Sequence, residues 1–240
     1  LRYLVSMGYI EGHYYHPRID KELLRKHSKG LFALTACLGG EVPGRALRGD
    51  MDGARQAALE FKEIFEPGHF FLEIQCNGLP EQEKVNAELK QLSRDLDIPL
   101  AATADAHYVR REDAKAHELL MCIAQGKLYD DPKRMRHETS ELYIKSPDEM
   151  MAHFSDVPEA VENTVRIGQA CNVELQLGKV FLPKFQVPEG HDDDSWLAHL
   201  ARTGLDRRFK ELEKRYPVDR DAYRERLEME ISVIQKMGFS

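Results

Sequence analysis

Asp105 and His107 stand two residues apart in Thr103-Ala104-Asp105-Ala106-His107-Tyr108, directly after the apolar run 98–103. In extended chain, residues two apart point the same way, so this carboxylate and imidazole can reach one centre. A mixed oxygen and nitrogen pair of that kind suits Zn²⁺, Mn²⁺ or Fe. Asp-x-His arises often by chance; its position at the end of an apolar run is what gives it weight. Cys37 closes a second apolar run, 30–36, and Gln75-Cys76-Asn77 closes a third, 70–74. A thiol, a carboxylate and an imidazole therefore each follow a segment that reads as a buried strand.

The segments between them are helical. Residues 50–66 place Ala54, Ala57, Ala58, Phe61, Ile64 and Phe65 on one face, an amphipathic helix stopped by Pro67-Gly68. Val85, Leu89, Leu92 and Leu96 recur at helical spacing over 81–96. Strand, helix, strand, helix, strand is the order of parallel βαβ units, with strands expected at 30–36, 69–75 and 98–103. Active sites of parallel α/β folds lie at the carboxyl ends of the strands. That rule predicts that Cys37, Asp105 and His107 converge on one rim. Three donors are few for a multinuclear site, so further ligands have to come from elsewhere.

Other readings of the same residues stand beside this one. Cys37, among Ala36, Leu38 and glycines, also reads as an inert packed thiol, the commoner fate of cysteine. His107 beside Tyr108 also reads as a cap for a helix starting near Arg111. His13 and His16, flanking two tyrosines, read as loop residues. Cys122 and Cys171 fall on helical faces beside apolar neighbours and read as core. The basic cluster Lys133-Arg134-Met135-Arg136-His137 reads as a solvated face, with phosphate contact as the alternative.

Helices are expected over 1–11, 20–27, 111–125, 147–155 and 157–171, with Asp20 capping the second. The polar stretch 126–145 reads as a long surface loop, a kind of segment that often serves function. Residues 173–195, with Pro183, Pro188, Gly190 and Asp192-Asp193-Asp194, read as a linker with a solvated acidic run. Beyond it the chain is helical and densely charged.

The chain has 240 residues, 42% hydrophobic and 31% charged, enough to bury a core. The net charge of −7 argues against nucleic-acid binding over the whole surface but leaves room for a local basic strip. Four widely spaced cysteines form no C-x-x-C pair, and no apolar run approaches a membrane span. A cytoplasmic location is expected.

Several blocks, in order, resemble the C-family replicative polymerases of bacteria, the DNA polymerase III alpha subunits. They are Gly12-His13-Tyr14-Tyr15-His16-Pro17-Arg18-Ile19-Asp20, Thr35-Ala36-Cys37-Leu38-Gly39-Gly40-Glu41-Val42-Pro43 and Ala102-Thr103-Ala104-Asp105-Ala106-His107-Tyr108. Asp130-Asp131-Pro132-Lys133-Arg134, Phe181-Leu182-Pro183-Lys184-Phe185 and Met237-Gly238-Phe239 fit the same family.

The resemblance implies an α/β fold: part of a distorted (β/α)₇ barrel of the polymerase-and-histidinol-phosphatase (PHP) type, then a mostly helical segment leading into a polymerase palm. It implies boundaries at 1–180 for the later part of the PHP domain, 181–195 for a linker and 196–240 for the start of the palm region. It also implies that Cys37, Asp105 and His107 are the late metal ligands of the PHP domain. The early His-x-His and Asp-His blocks have no match, so the chain is expected to begin midway through that domain.

The palm's catalytic aspartates are expected outside these residues, so none is assigned here and the chain alone is expected to be inactive. For the whole polymerase the resemblance implies primer–template DNA, deoxynucleoside triphosphates and Mg²⁺, with Zn²⁺ or Mn²⁺ at the PHP site. It implies a sliding clamp, a clamp loader and a proofreading exonuclease as partners. The PHP domain would then hydrolyse phosphoesters, as a 3′–5′ exonuclease for example, or serve as a scaffold docking a separate exonuclease. A free-standing PHP phosphatase is the third alternative, disfavoured by the downstream helical segment.

Overall fold

The structure, a computed structural model, describes residues 1–240. It falls into two units, Leu1–Val173 and Glu174–Ser240.

The first unit is built on a three-stranded parallel sheet. Its strands are β1 (Ala33–Leu34), β2 (Phe70–Gln75) and β3 (Leu100–Thr103), in the order β1-β2-β3. Ala33 pairs with Phe70, and Leu72 to Gln75 pair with Leu100 to Thr103. Helix α1 (Arg2–Ile10) and helix α2 (Lys21–His27) precede the sheet, and Asp20 caps α2 by accepting from the Leu23 amide at 2.7 Å. The crossovers are α4 (Met51–Ile64) after β1 and α5 (Pro80–Leu96) after β2. Both sit where the apolar spacing predicts.

β2 is buried on both faces, as a central parallel strand covered by helices must be. Its Phe70, Leu72 and Ile74 join Val85, Leu89 and Leu92 of α5 and Ala54, Ala57, Ala58 and Ile64 of α4 in one core. Complete burial of a Leu or Val side chain contributes roughly 1.5–3 kcal/mol.

Two local features differ from expectation. β1 is two residues long and half-buried instead of spanning 30–36. Its backbone ladder ends where side chains replace it: the Glu73 amide donates to Thr35 Oγ1 at 2.8 Å, and the Ala36 amide donates to Glu73 Oε2 at 3.0 Å. A helix, α3 (Glu41–Leu47), lies between β1 and α4 and packs against both α4 and α5. Pro43 and Gly44 disguise it, yet Pro43 falls in its first turn, where a missing N–H costs nothing.

A single 3-10 turn at Arg111–Asp113 leads into α6 (Ala114–Gln125), ended by left-handed Gly126. Residues 126–145 carry no helix or strand, as expected of a surface loop, apart from a bridge joining Tyr143 to Tyr108. Helix α7 (Pro147–His153) and helix α8 (Pro158–Ala170) follow. α8 lies on β3, where buried Asn163 donates from Nδ2 to the Leu100 carbonyl at 2.8 Å. Cys122 is buried as expected; Cys171, at the end of α8, is exposed instead of packed.

The second unit begins with an irregular arm in which Leu175, Leu177, Val180, Phe181, Leu182 and Phe185 are all exposed. The acidic run is solvent-exposed as expected and also starts a helix: Asp192 caps α9 (Asp193–Leu212), accepting from the Ser195 amide at 2.8 Å. α9 packs against α10 (Arg220–Lys236), with Phe209 and Ile231 buried and Arg202 forked onto Glu228 through two contacts of 2.7 Å. No helix is long and apolar enough to cross a membrane.

Candidate metal centre

The carboxyl ends of the three strands share one edge of the sheet, because the strands are parallel. Past each strand the chain turns through a left-handed residue: Ala36 with φ of 61°, Gly78 with 74° and Asp105 with 50°. Gly78 escapes the steric cost of that region, aspartate tolerates it better than most residues, and Ala36 bears it in full. Strain of this kind gathers where geometry serves function.

At the centre of the edge is Glu73. Its Oε1 accepts from Thr103 Oγ1 at 2.6 Å and from Gln75 Nε2 at 3.1 Å, while Oε2 takes the Ala36 amide. One carboxylate thus ties the ends of all three strands together. Beside it Gln75 is buried, and its Oε1 has no hydrogen-bond partner. An orphaned buried acceptor costs about 1–3 kcal/mol and calls for a cation or water donor.

The β3 side of the edge carries the Asp-x-His pair. Asp105 Oδ2 accepts from Asn77 Nδ2 at 3.5 Å, and its Oδ1 lies 3.5 Å from His107 Nε2. The backbone amides of His107 and Tyr108 donate to the Leu142 carbonyl at 2.8 and 3.2 Å. Leu142 is buried, and Thr139 Oγ1 donates to the Asn77 carbonyl at 2.8 Å. These contacts fasten the long polar loop over the strand ends, which brings in His137. α6 brings in His117. The ligand nitrogens of His107, His117 and His137 lie within 4.8 Å of one another, an arrangement able to hold a metal ion. Partial desolvation of its ring, which is still solvent-exposed, followed by the neighbouring imidazoles of His107 and His117, holds His137 below the ordinary histidine pKa.

Of the residues expected on the rim, Asp105 and His107 are thus brought together. Cys37 follows β1, and β1 lies across β2 from the strand that Asp105 follows, so the two strands stand about 9–10 Å apart at ordinary strand spacing. Its thiol is exposed, not the inert buried sulfur that composition alone suggests, and it is not part of the compact histidine group. Cys76 fills the inert role: it is buried, its thiol pKa is pushed up by that burial, and its Sγ donates to the Thr103 carbonyl at 3.6 Å. His117 and His137 lie outside any short spacing motif. The signal available in sequence was three histidines within a stretch that also holds the strand-end pair.

The sequence profile described as the PHP domain matches residues 1–77. Longer matches decide the relationship. The DNA polymerase III subunit alpha of Campylobacter jejuni subsp. jejuni is 40% identical over 268 aligned residues, covering 100% of this chain and 22% of that protein. This chain is similar throughout to DNA polymerase III alpha subunits. The Borreliella burgdorferi alpha subunit is 42% identical over 98% of the chain and 20% of its own length. The Thermus aquaticus protein is 43% identical over 86% of the chain and 17% of its own length. The chain therefore spans about a fifth of the length of these curated relatives.

Proposed function

We propose that this chain is the PHP-bearing part of a bacterial replicative polymerase that extends primer–template DNA from deoxynucleoside triphosphates, and that its strand-end edge binds divalent metal. The similarity along the whole chain to alpha subunits carries the first half of this reading. Asp105 and His107 at the edge of a parallel sheet, beside the orphaned Gln75 Oε1, support the second.

In this reading Cys37, Asp105 and His107 are metal ligands, and Zn²⁺ or Mn²⁺ is the fitting ion class for a thiolate, carboxylate and imidazole set. A bound divalent ion would supply Lewis acidity toward a phosphoryl oxygen. The chain's own part is positioning. Glu73 holds the strand ends in register, and Asn77 orients Asp105. The phosphoester chemistry proposed for this edge is hydrolysis at a DNA 3′ end. Residues 1–180 form the PHP portion, 181–195 a linker and 196–240 the lead-in to the palm. Mg²⁺-dependent nucleotidyl transfer, and contacts with a sliding clamp, clamp loader and proofreading exonuclease, belong to the whole polymerase.

The test is Asp105→Ala in the full polymerase. Bound metal, measured by elemental analysis, should fall together with phosphoesterase activity, while polymerisation falls less. Unchanged metal content refutes the ligand assignment. Lost metal without any hydrolysis in the parent polymerase leaves the edge as a scaffold and refutes the hydrolytic role.

A further inference from the structure

We propose that His107, His117 and His137 form a three-imidazole site for a Zn²⁺-class cation, distinct from the Cys37–Asp105 donor set. Only His107 is shared with that set. The other two imidazoles come from elements that have no part in it: His117 from α6 and His137 from the loop 126–145.

The geometry is close to what such an ion needs. Zn–N bonds of 2.0–2.1 Å in a tetrahedron place ligand nitrogens roughly 3.3–3.4 Å apart. Here they lie within 4.8 Å, so ring rotations that draw the nitrogens together by about 1.4 Å complete the site. His107 and His137 are exposed and His117 half-buried, so the rings have room to turn. The backbones under them are fixed: His107 by the Leu142 carbonyl, His117 within a helix, and His137 by the fastening of its loop at Thr139.

The donor chemistry selects the ion. Neutral imidazoles suit Zn²⁺, Ni²⁺ or Cu²⁺, whereas Mg²⁺ and Ca²⁺ require oxygen. Three protein ligands leave a fourth position open. His117 and His137 also line a cavity of about 590 Å³ with Lys115, Glu118, Arg136 and Glu138, which gives the ion an entry path. The two basic and two acidic side chains there balance, so the cavity does not repel a cation outright.

Titration of the intact chain with Co²⁺ alone, followed by visible absorption, tests the site. One equivalent should give the strong ligand-field bands of a four-coordinate nitrogen site, and Zn²⁺ should displace it. His117→Asn and His137→Asn should each weaken binding at least tenfold, since losing even a supporting contact costs 10–100-fold. The bands that depend on His117 and His137 should persist in Cys37→Ser, whether or not that substitution removes a separate sulfur-to-cobalt band from the strand-end set. In the unsubstituted chain, Zn²⁺ should shift the imidazole resonances of all three histidines, a reading that needs no variant to fold. Absence of stoichiometric binding, or binding indifferent to both histidine substitutions, overturns the inference. A spectrum that is lost in Cys37→Ser and unaffected in His117→Asn and His137→Asn also overturns it, while leaving the strand-end reading intact.

Discussion

Asn86 closes the sheet edge from outside the sheet, and its removal is a quantitative test of how that edge is built. The side chain, buried on α5, behaves as an extra strand residue. Its Oδ1 accepts the Gln75 amide at 3.1 Å, and its Nδ2 donates to the Gln75 carbonyl at 2.7 Å. Asn86→Ala orphans both backbone groups in a buried position. At about 1–3 kcal/mol per orphaned group, the loss is about 2–6 kcal/mol. That is a large fraction of the roughly 5–15 kcal/mol stability of a typical domain. With a urea slope near 2 kcal/mol/M, the unfolding midpoint of the first unit should fall by about 2 M. Asn86→Asp sharpens the test. It retains an acceptor for the amide but sets oxygen against the Gln75 carbonyl, so it should be destabilised at neutral pH. It should recover on acidification, when a protonated carboxyl can donate. Urea denaturation followed by circular dichroism is the assay. An Asn86→Ala midpoint corresponding to less than about 0.5 kcal/mol of change would refute the pairing, since a surface substitution costs that much.

Two further outcomes are expected. Gly40 precedes α3, and a Cβ there would stand 2.1 Å from the Thr35 carbonyl oxygen, so Gly40→Ala should cost about 1–3 kcal/mol by overpacking. It should also change the alkylation rate of Cys37, and an unchanged rate and midpoint would contradict the close approach. Glu149 accepts from Tyr143 Oη and from the Ser146 amide, and these bonds, with the Tyr143 contact largest, lower its pKa from 4.5 to about 2. A depressed carboxylate stabilises the fold fully above its ordinary pKa, and that contribution disappears as pH falls from 4.5 through about 2. Carbon-detected NMR titration should place the midpoint well below the ordinary glutamate value, and one near 4.3 would refute the capping geometry.

How much of this was legible in the sequence depended on whether a residue's place is set locally. The three strands and both crossovers follow from runs and periods within single segments, so 69–75, 98–103 and 81–96 agree with β2, β3 and α5 to a residue or two. β1 is shorter than its apolar run because its ladder gives way to the Thr35 and Glu73 side chains, a choice that depends on a residue on another strand. The Asp105–His107 pair was visible because strand ends concentrate chemistry. His117 and His137 were not, because only the folding of a polar loop through Thr139 and Leu142 brings one of them to the other.

The left-handed turns past β1 and β3 set opposite terms for anyone selecting a sturdier variant. A side chain in that region costs roughly 1–2 kcal/mol relative to glycine. A screen scored only on melting temperature would therefore favour glycine at Ala36 and, by a smaller margin because aspartate tolerates the region, at Asp105. At Ala36 the exchange discards a methyl group. At Asp105 it discards the carboxylate beside His107, so heat resistance and ion binding are traded against each other at one position in the chain.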